Sequence, residues 1–237
     1  MANWIATLSL SMLSLTLVAC SSTPPSSPRS SVAAEGNTLV VDGFINQNTI
    51  SQIKQFTAQQ RFTSLRVNSE DGEPLAALQL GNWIHRNDLD VTVDGVCLRA
   101  CANYIFTAGN DKHLRPGSIV AWSGGALEDS WTQQYQNYLM PGVRYILENY
   151  LDRLYRREAR FFERTGVDQK ITIYGHHPES GCSEQQAKNG FYYSVPHLLR
   201  MGVTKIYTDA HWSDAFAHYP EQYCEVELSS ELEVFTI

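Results

Sequence analysis

The first 19 residues contain no charged side chain, not even the basic residue that usually opens an export signal. Their apolar run, residues 4–18, is short for a membrane span, which needs about 20 residues. Basic residues are outnumbered, 18 Lys and Arg against 25 Asp and Glu, and no interleaving of aromatic with basic residues occurs. The net charge of −7 therefore argues against nucleic acid as a partner. No internal repeat is apparent. Cysteine is scarce too, with only five in 237 residues.

What is present first fixes a location. The apolar run leads into Leu17-Val18-Ala19-Cys20, which resembles a bacterial lipoprotein signal with Cys20 as the lipidated residue. A plain secreted or periplasmic protein is the alternative. Ser21 and Ser22 follow, without an aspartate after the cysteine, and by resemblance this implies the outer membrane, facing the periplasm. Residues 20–36 are rich in Ser, Thr, Pro and Ala and read as a tether, because so few large apolar groups cannot offset the entropy of ordering. Residues 37–237, about 200 in all, suit one domain with a substantial core.

Strands are predicted at 38–41, around Leu65 and Val67, at 89–93 and at 118–122. Helices are predicted after Asn48 and Pro74 and at the double-cysteine segment, so strand and helix alternate as in a parallel α/β fold. A long helical stretch follows at 129–164, interrupted at Pro141-Gly142. Its Arg153, Arg156, Arg157 and Arg160 read as a solvated face rather than a lipid or partner surface. Further on, 191–193, a short helix through Leu198 and a turn into a strand at Ile206 complete the pattern.

Apart from Cys20, four cysteines remain: Cys97, Cys101, Cys182 and Cys224. They allow three connectivities. A bridge between Cys97 and Cys101 requires Cys97 to lie outside a regular helix, since helical neighbours four apart hold their Cβ atoms roughly 5–6 Å apart and a disulfide needs about 3.8 Å. His176, His177, His211 and His218 collect near the later cysteines, but at no familiar zinc spacing, so neither metal nor cofactor is expected.

The segment Cys97-Leu98-Arg99-Ala100-Cys101, with Val67-Asn68-Ser69, the helix after Pro74, Trp122-Ser123-Gly124-Gly125 and Arg164-Thr165-Gly166-Val167-Asp168, resembles the exported branch of the Clp protease and crotonase superfamily. The resemblance runs from about Leu39 to Ile206. It implies an α/β spiral of βαβ units with a long C-terminal helical stretch, disulfides Cys97–Cys101 and Cys182–Cys224, and self-association.

Three catalytic positions depart from the family pattern. Arg99 stands where the nucleophilic serine is expected, Ser123 where the histidine base is expected, and Glu70-Asp71 where the oxyanion loop carries Pro-Gly. A guanidinium cannot attack a carbonyl, a serine hydroxyl has no basicity at neutral pH, and carboxylates repel a developing oxyanion. A pseudoenzyme is the expectation, acting as a binding or scaffold module for a protein or peptide. Arg99 beside a helix N-terminus needs a partner. An ion pair with Glu70 or Asp71 is expected to plug the crevice beside Trp122; Trp83, Tyr104 and Trp122 could line a ligand pocket, but core packing is the ordinary reading of these rings. Two alternatives stand beside it: a hydrolase with a displaced nucleophile, such as Ser123 served by His113, and a binder of a carboxylate-bearing ligand through Arg99.

Overall fold

The computed structural model describes residues 30–127, 140–182, 188–208, 212–219 and 222–228. Cys20, His211 and residues 129–139 of the expected helical stretch lie outside them. The fold is α/β.

Its frame is a mixed, mostly parallel sheet in the order β1 (Ser30–Glu35), β2 (Thr38–Gly43), β3 (Ser64–Ser69), β4 (Asp90–Leu98), β5 (Lys112–Leu114), β8 (Ile206–Tyr207). A further strand, β6 (Ile119–Ala121), pairs with the far half of β4. Only the β1–β2 pair is antiparallel within this sheet. β1 corrects the tether, because residues 30–35 pair residue for residue with β2. Ser-Ser-Val-Ala-Ala-Glu has no strong strand signal of its own, and the neighbouring strand supplies the hydrogen bonds that order it.

Strict alternation places Leu39, Val41, Leu65, Val67, Val91 and Val93 on one buried face. Against them pack α1 (Gln47–Thr57), α2 (Pro74–Arg86) and a fully buried π-helix (Cys101–Phe106). The cap of α1 is Asn46, not Asn48: its side chain accepts from the amides of Asn48 and Thr49, and Thr49 answers with its hydroxyl. Pro74 opens α2 as its sequence position predicts. α3 (Pro141–Thr165) packs through Leu154, Phe161 and Phe162 and ends at Gly166, whose φ of 68° provides a left-handed cap.

Downstream, β7 (Gly190–Tyr192) and β9 (Tyr223–Glu225) form a separate parallel pair flanking the short helix α4 (Val195–Arg200). Cys182–Cys224 ties this ribbon down, and Cys97–Cys101 closes the turn between β4 and the π-helix. Tyr192, Trp212, Phe216 and Tyr223 pack ring against ring around this ribbon.

Lys112 is a buried cation at the sheet end, donating to the carbonyls of Gly109 (2.7 Å) and Thr204 (3.1 Å). Burial, reinforced by Lys205, lowers its pKa from 10.5 to about 8. The unfolded chain therefore binds more protons between those values, and stability rises with pH above 8, the penalty being complete below it. Denaturant midpoints should climb from pH 8 to about 9.5, short of the range where buried tyrosines with raised pKa values act in the opposite sense. Lys112→Met should flatten that slope, and an unchanged slope would dismiss the assignment.

Candidate functional site

The carboxyl ends of β3 and β4 build the site. Gly95, at φ 113°, bends β4 so that its first half pairs with β5 and its second half with β6. Asn68 fixes the bend by accepting from the Val96 amide at 3.0 Å, and a Cβ at Gly95 would lie 2.7 Å from that same oxygen. Ser118 bridges the other side, its hydroxyl donating to the Val93 carbonyl and accepting from the Gly95 amide.

Beyond the bend the strand delivers Arg99 into a sharp turn. Its φ is 52°, a left-handed conformation that costs an L-residue with a long side chain. Cys97 lies in β4 and Cys101 opens the π-helix, with Cα atoms 5.1 Å apart, so the bridge spans this turn. The segment is a π-helix rather than an ordinary α-helix. Arg99 donates its amide to the Ala121 carbonyl at 2.9 Å and accepts from the Asn103 amide at 2.8 Å, which registers it against the end of β6.

Positions 99 and 123 thus emerge at adjacent strand ends. Ser123 follows Trp122, whose backbone exchanges two 2.8 Å hydrogen bonds with Phe191 of β7. β7 lies close over this end: a Cβ on Gly190 would come within 2.3 Å of the Trp122 carbonyl oxygen. His113 is not part of this arrangement. It pairs with Thr92 while Ala121 pairs with Leu98, six residues further along β4 and therefore on the order of 20 Å away. His113 instead stacks on Tyr207, with centroids 4.9 Å apart.

The arginine side chain reaches the opposite loop. Arg99 Nη1 lies 3.4 Å from Asp71 Oδ2, while Asp71 Oδ1 accepts from the Gly72 amide at 2.7 Å. Both side chains are substantially exposed, at 49% and 34%, so the pair contributes about 1 kcal/mol at most. It does not plug the site. A crevice of about 450 Å³ remains, lined by Phe44, Asn68, Val96, Arg99 and the carboxylates of Asp42, Glu70 and Asp71. Three carboxylates to one guanidinium make the crevice acidic, which weighs against an incoming carboxylate ligand. Tyr223 of β9 is close enough for Arg99 and Glu70 to act on its ionisation, although burial dominates in raising its pKa.

The rings of Trp83, Tyr104 and Trp122 do not line the crevice. Trp122 is wholly buried and Tyr104 nearly so, and Trp83 packs against the core, so all three serve packing. Tyr104 donates to Glu158 at 2.9 Å. That buried carboxyl also accepts from the Ala126 amide at 2.8 Å, tying α3 to the loop after Ser123. Burial raises the Glu158 pKa, against the lowering effect of its three donors. Sequence reasoning missed Asp42, which pairs in register with Asn68, and Tyr223, for which no local signal exists.

Among the described residues no group of His, Cys, Asp or Glu could hold a metal ion, and no helix is long and apolar enough to cross a membrane. The two thiols near the histidines are consumed, since Cys182 and Cys224 are bonded to each other. No protein-family model matches the chain, and no curated protein matches it. The chemistry of the crevice must follow from its own residues.

Proposed function

We propose that this is a lipid-anchored envelope protein whose Clp/crotonase-like domain no longer performs acyl transfer and acts as a binding module. One observation carries the reading: the residue in the strained turn at the end of β4 is an arginine paired with Asp71, and the residue beside it at the end of β6 is a serine that meets no histidine hydrogen-bond partner among the described residues. Acyl transfer requires a nucleophile, a base and donors for the oxyanion. Here the three places hold a cation, a hydroxyl and two acids.

A fluorophosphonate probe should leave the native chain unlabelled. The Arg99→Ser, Ser123→His double variant should also remain essentially unlabelled, because Glu70 and Asp71 still oppose negative charge at the reacting carbonyl. Labelling of the native chain would overturn the loss of chemistry. Palmitate incorporation in a bacterial host, abolished by Cys20→Ala, tests the anchor separately.

A further inference from the structure

α3 carries six of the chain's 18 basic residues within 25 positions. Arg153, Arg157, Arg160 and Arg164 recur at intervals of four, three and four, which aligns them in one row along the helix. All four are exposed. Of the four acidic residues of the helix, Glu148 pairs with Arg144, Asp152 pairs with Arg156, Glu158 is buried against Tyr104, and Glu163 is exposed one position before Arg164. Arg153, Arg157 and Arg160 meet no carboxylate within ion-pair distance among the described residues. The sequence alone reads this run as a solvated face. The structure adds what lies at its end.

Extended seven residues back, the row reaches Ile146, which is 70% exposed, beside Tyr145 at 68% and close to Met140 at 73%. Tyr150 is the first residue of α3 packed against the core and Leu154 the first buried there, while Tyr145 and Ile146 in the turns before them are exposed. From Ile146 to Arg164 the row is about 27 Å long. Arg164 donates to Asn82 of α2, whereas the guanidinium groups of Arg153, Arg157 and Arg160, with the apolar side chains two turns nearer the helix start, complement a flat, negatively charged sheet of lipid headgroups: the cations pair with phosphates while the apolar tip enters the interface.

We infer that this face of α3 docks on an anionic membrane surface. The contact gives a chain of net charge −7 a local means of lying on a surface that its overall charge would repel. The inference does not depend on the loss of peptidase chemistry, and it draws on the lipid anchor only for proximity to the bilayer.

The test uses the full chain with a polarity-sensitive dye on Ile146→Cys, reconstituted with vesicles of phosphatidylcholine alone or with about one third phosphatidylglycerol, each containing a nitroxide lipid quencher. Any N-terminal anchoring is common to both vesicle types, so the difference reports α3. Quenching should be about threefold stronger with phosphatidylglycerol and should fall to the phosphatidylcholine level in about 1 M NaCl. The Arg153→Gln, Arg157→Gln, Arg160→Gln variant should lose the difference, whereas the corresponding triple Lys variant should keep most of it. Equal quenching in the two vesicle types overturns the proposal, as does undiminished quenching of the triple Gln variant. An acidic protein as the true partner would appear as the first of these outcomes.

Discussion

Trp122→Ala should lower stability by about 3–5 kcal/mol, the range for truncating a buried aromatic. For a domain of this size that corresponds to a fall in melting temperature of roughly 6–20 °C. The indole is wholly buried at the end of β6, 5.2 Å from the Tyr193 ring and 6.2 Å from Phe106. Its backbone also holds β7 in place, so a cavity here loosens the layer over Ser123. Trp122→Phe supplies the contrast. The indole Nε1 has no hydrogen-bond partner among the described residues, so phenylalanine forfeits volume but no hydrogen bond. Its cost should be less than half that of alanine by thermal unfolding, and equal costs would show that the nitrogen is partnered after all.

Gly81→Ala should be nearly as damaging, with the opposite sign to that expected from helix propensity. In an exposed helix interior alanine would gain about 1 kcal/mol over glycine. At Gly81 the added Cβ would sit 2.2 Å from the Tyr104 carbonyl oxygen and 3.1 Å from the Phe161 ring. A backbone oxygen cannot swing aside as a side chain can. α2 must back away from the π-helix, at a cost of about 3 kcal/mol or more, the upper end of overpacking penalties. The expected drop is about 6–12 °C. A variant that melts with the native chain would mean that the two helices pack less closely than described.

How much of this was legible beforehand depends on the range of the interactions concerned. The cores of β2, β3 and β4 alternate apolar with polar residues, and Pro74 marks a helix start, so each could be read from a few neighbouring residues. β1 could not, because its ordering comes from pairing with β2 and its own composition resembles a linker. The choice between Asn46 and Asn48 turns on Thr49, whose hydroxyl completes the reciprocal cap with Asn46. At the crevice, an arginine near a helix start and two acids in the facing loop made a pairing foreseeable. That Asp71 rather than Glu70 makes it, that the pair leaves the crevice open, that Asp42 lines the same space, and that Tyr223 comes within electrostatic reach of Arg99 depend on strand register and on a strand more than 120 residues away in sequence.

The bond between Cys182 and Cys224 encloses a sequence separation of 42 residues, including β7, α4 and β8. Proteolysis at one point inside that span would leave two polypeptides still joined by sulfur, with β9 still alongside β7. Such a nicked molecule would migrate as a single species until a thiol reagent was added, so damage to this part of the protein in an oxidising compartment would pass unnoticed without reduction.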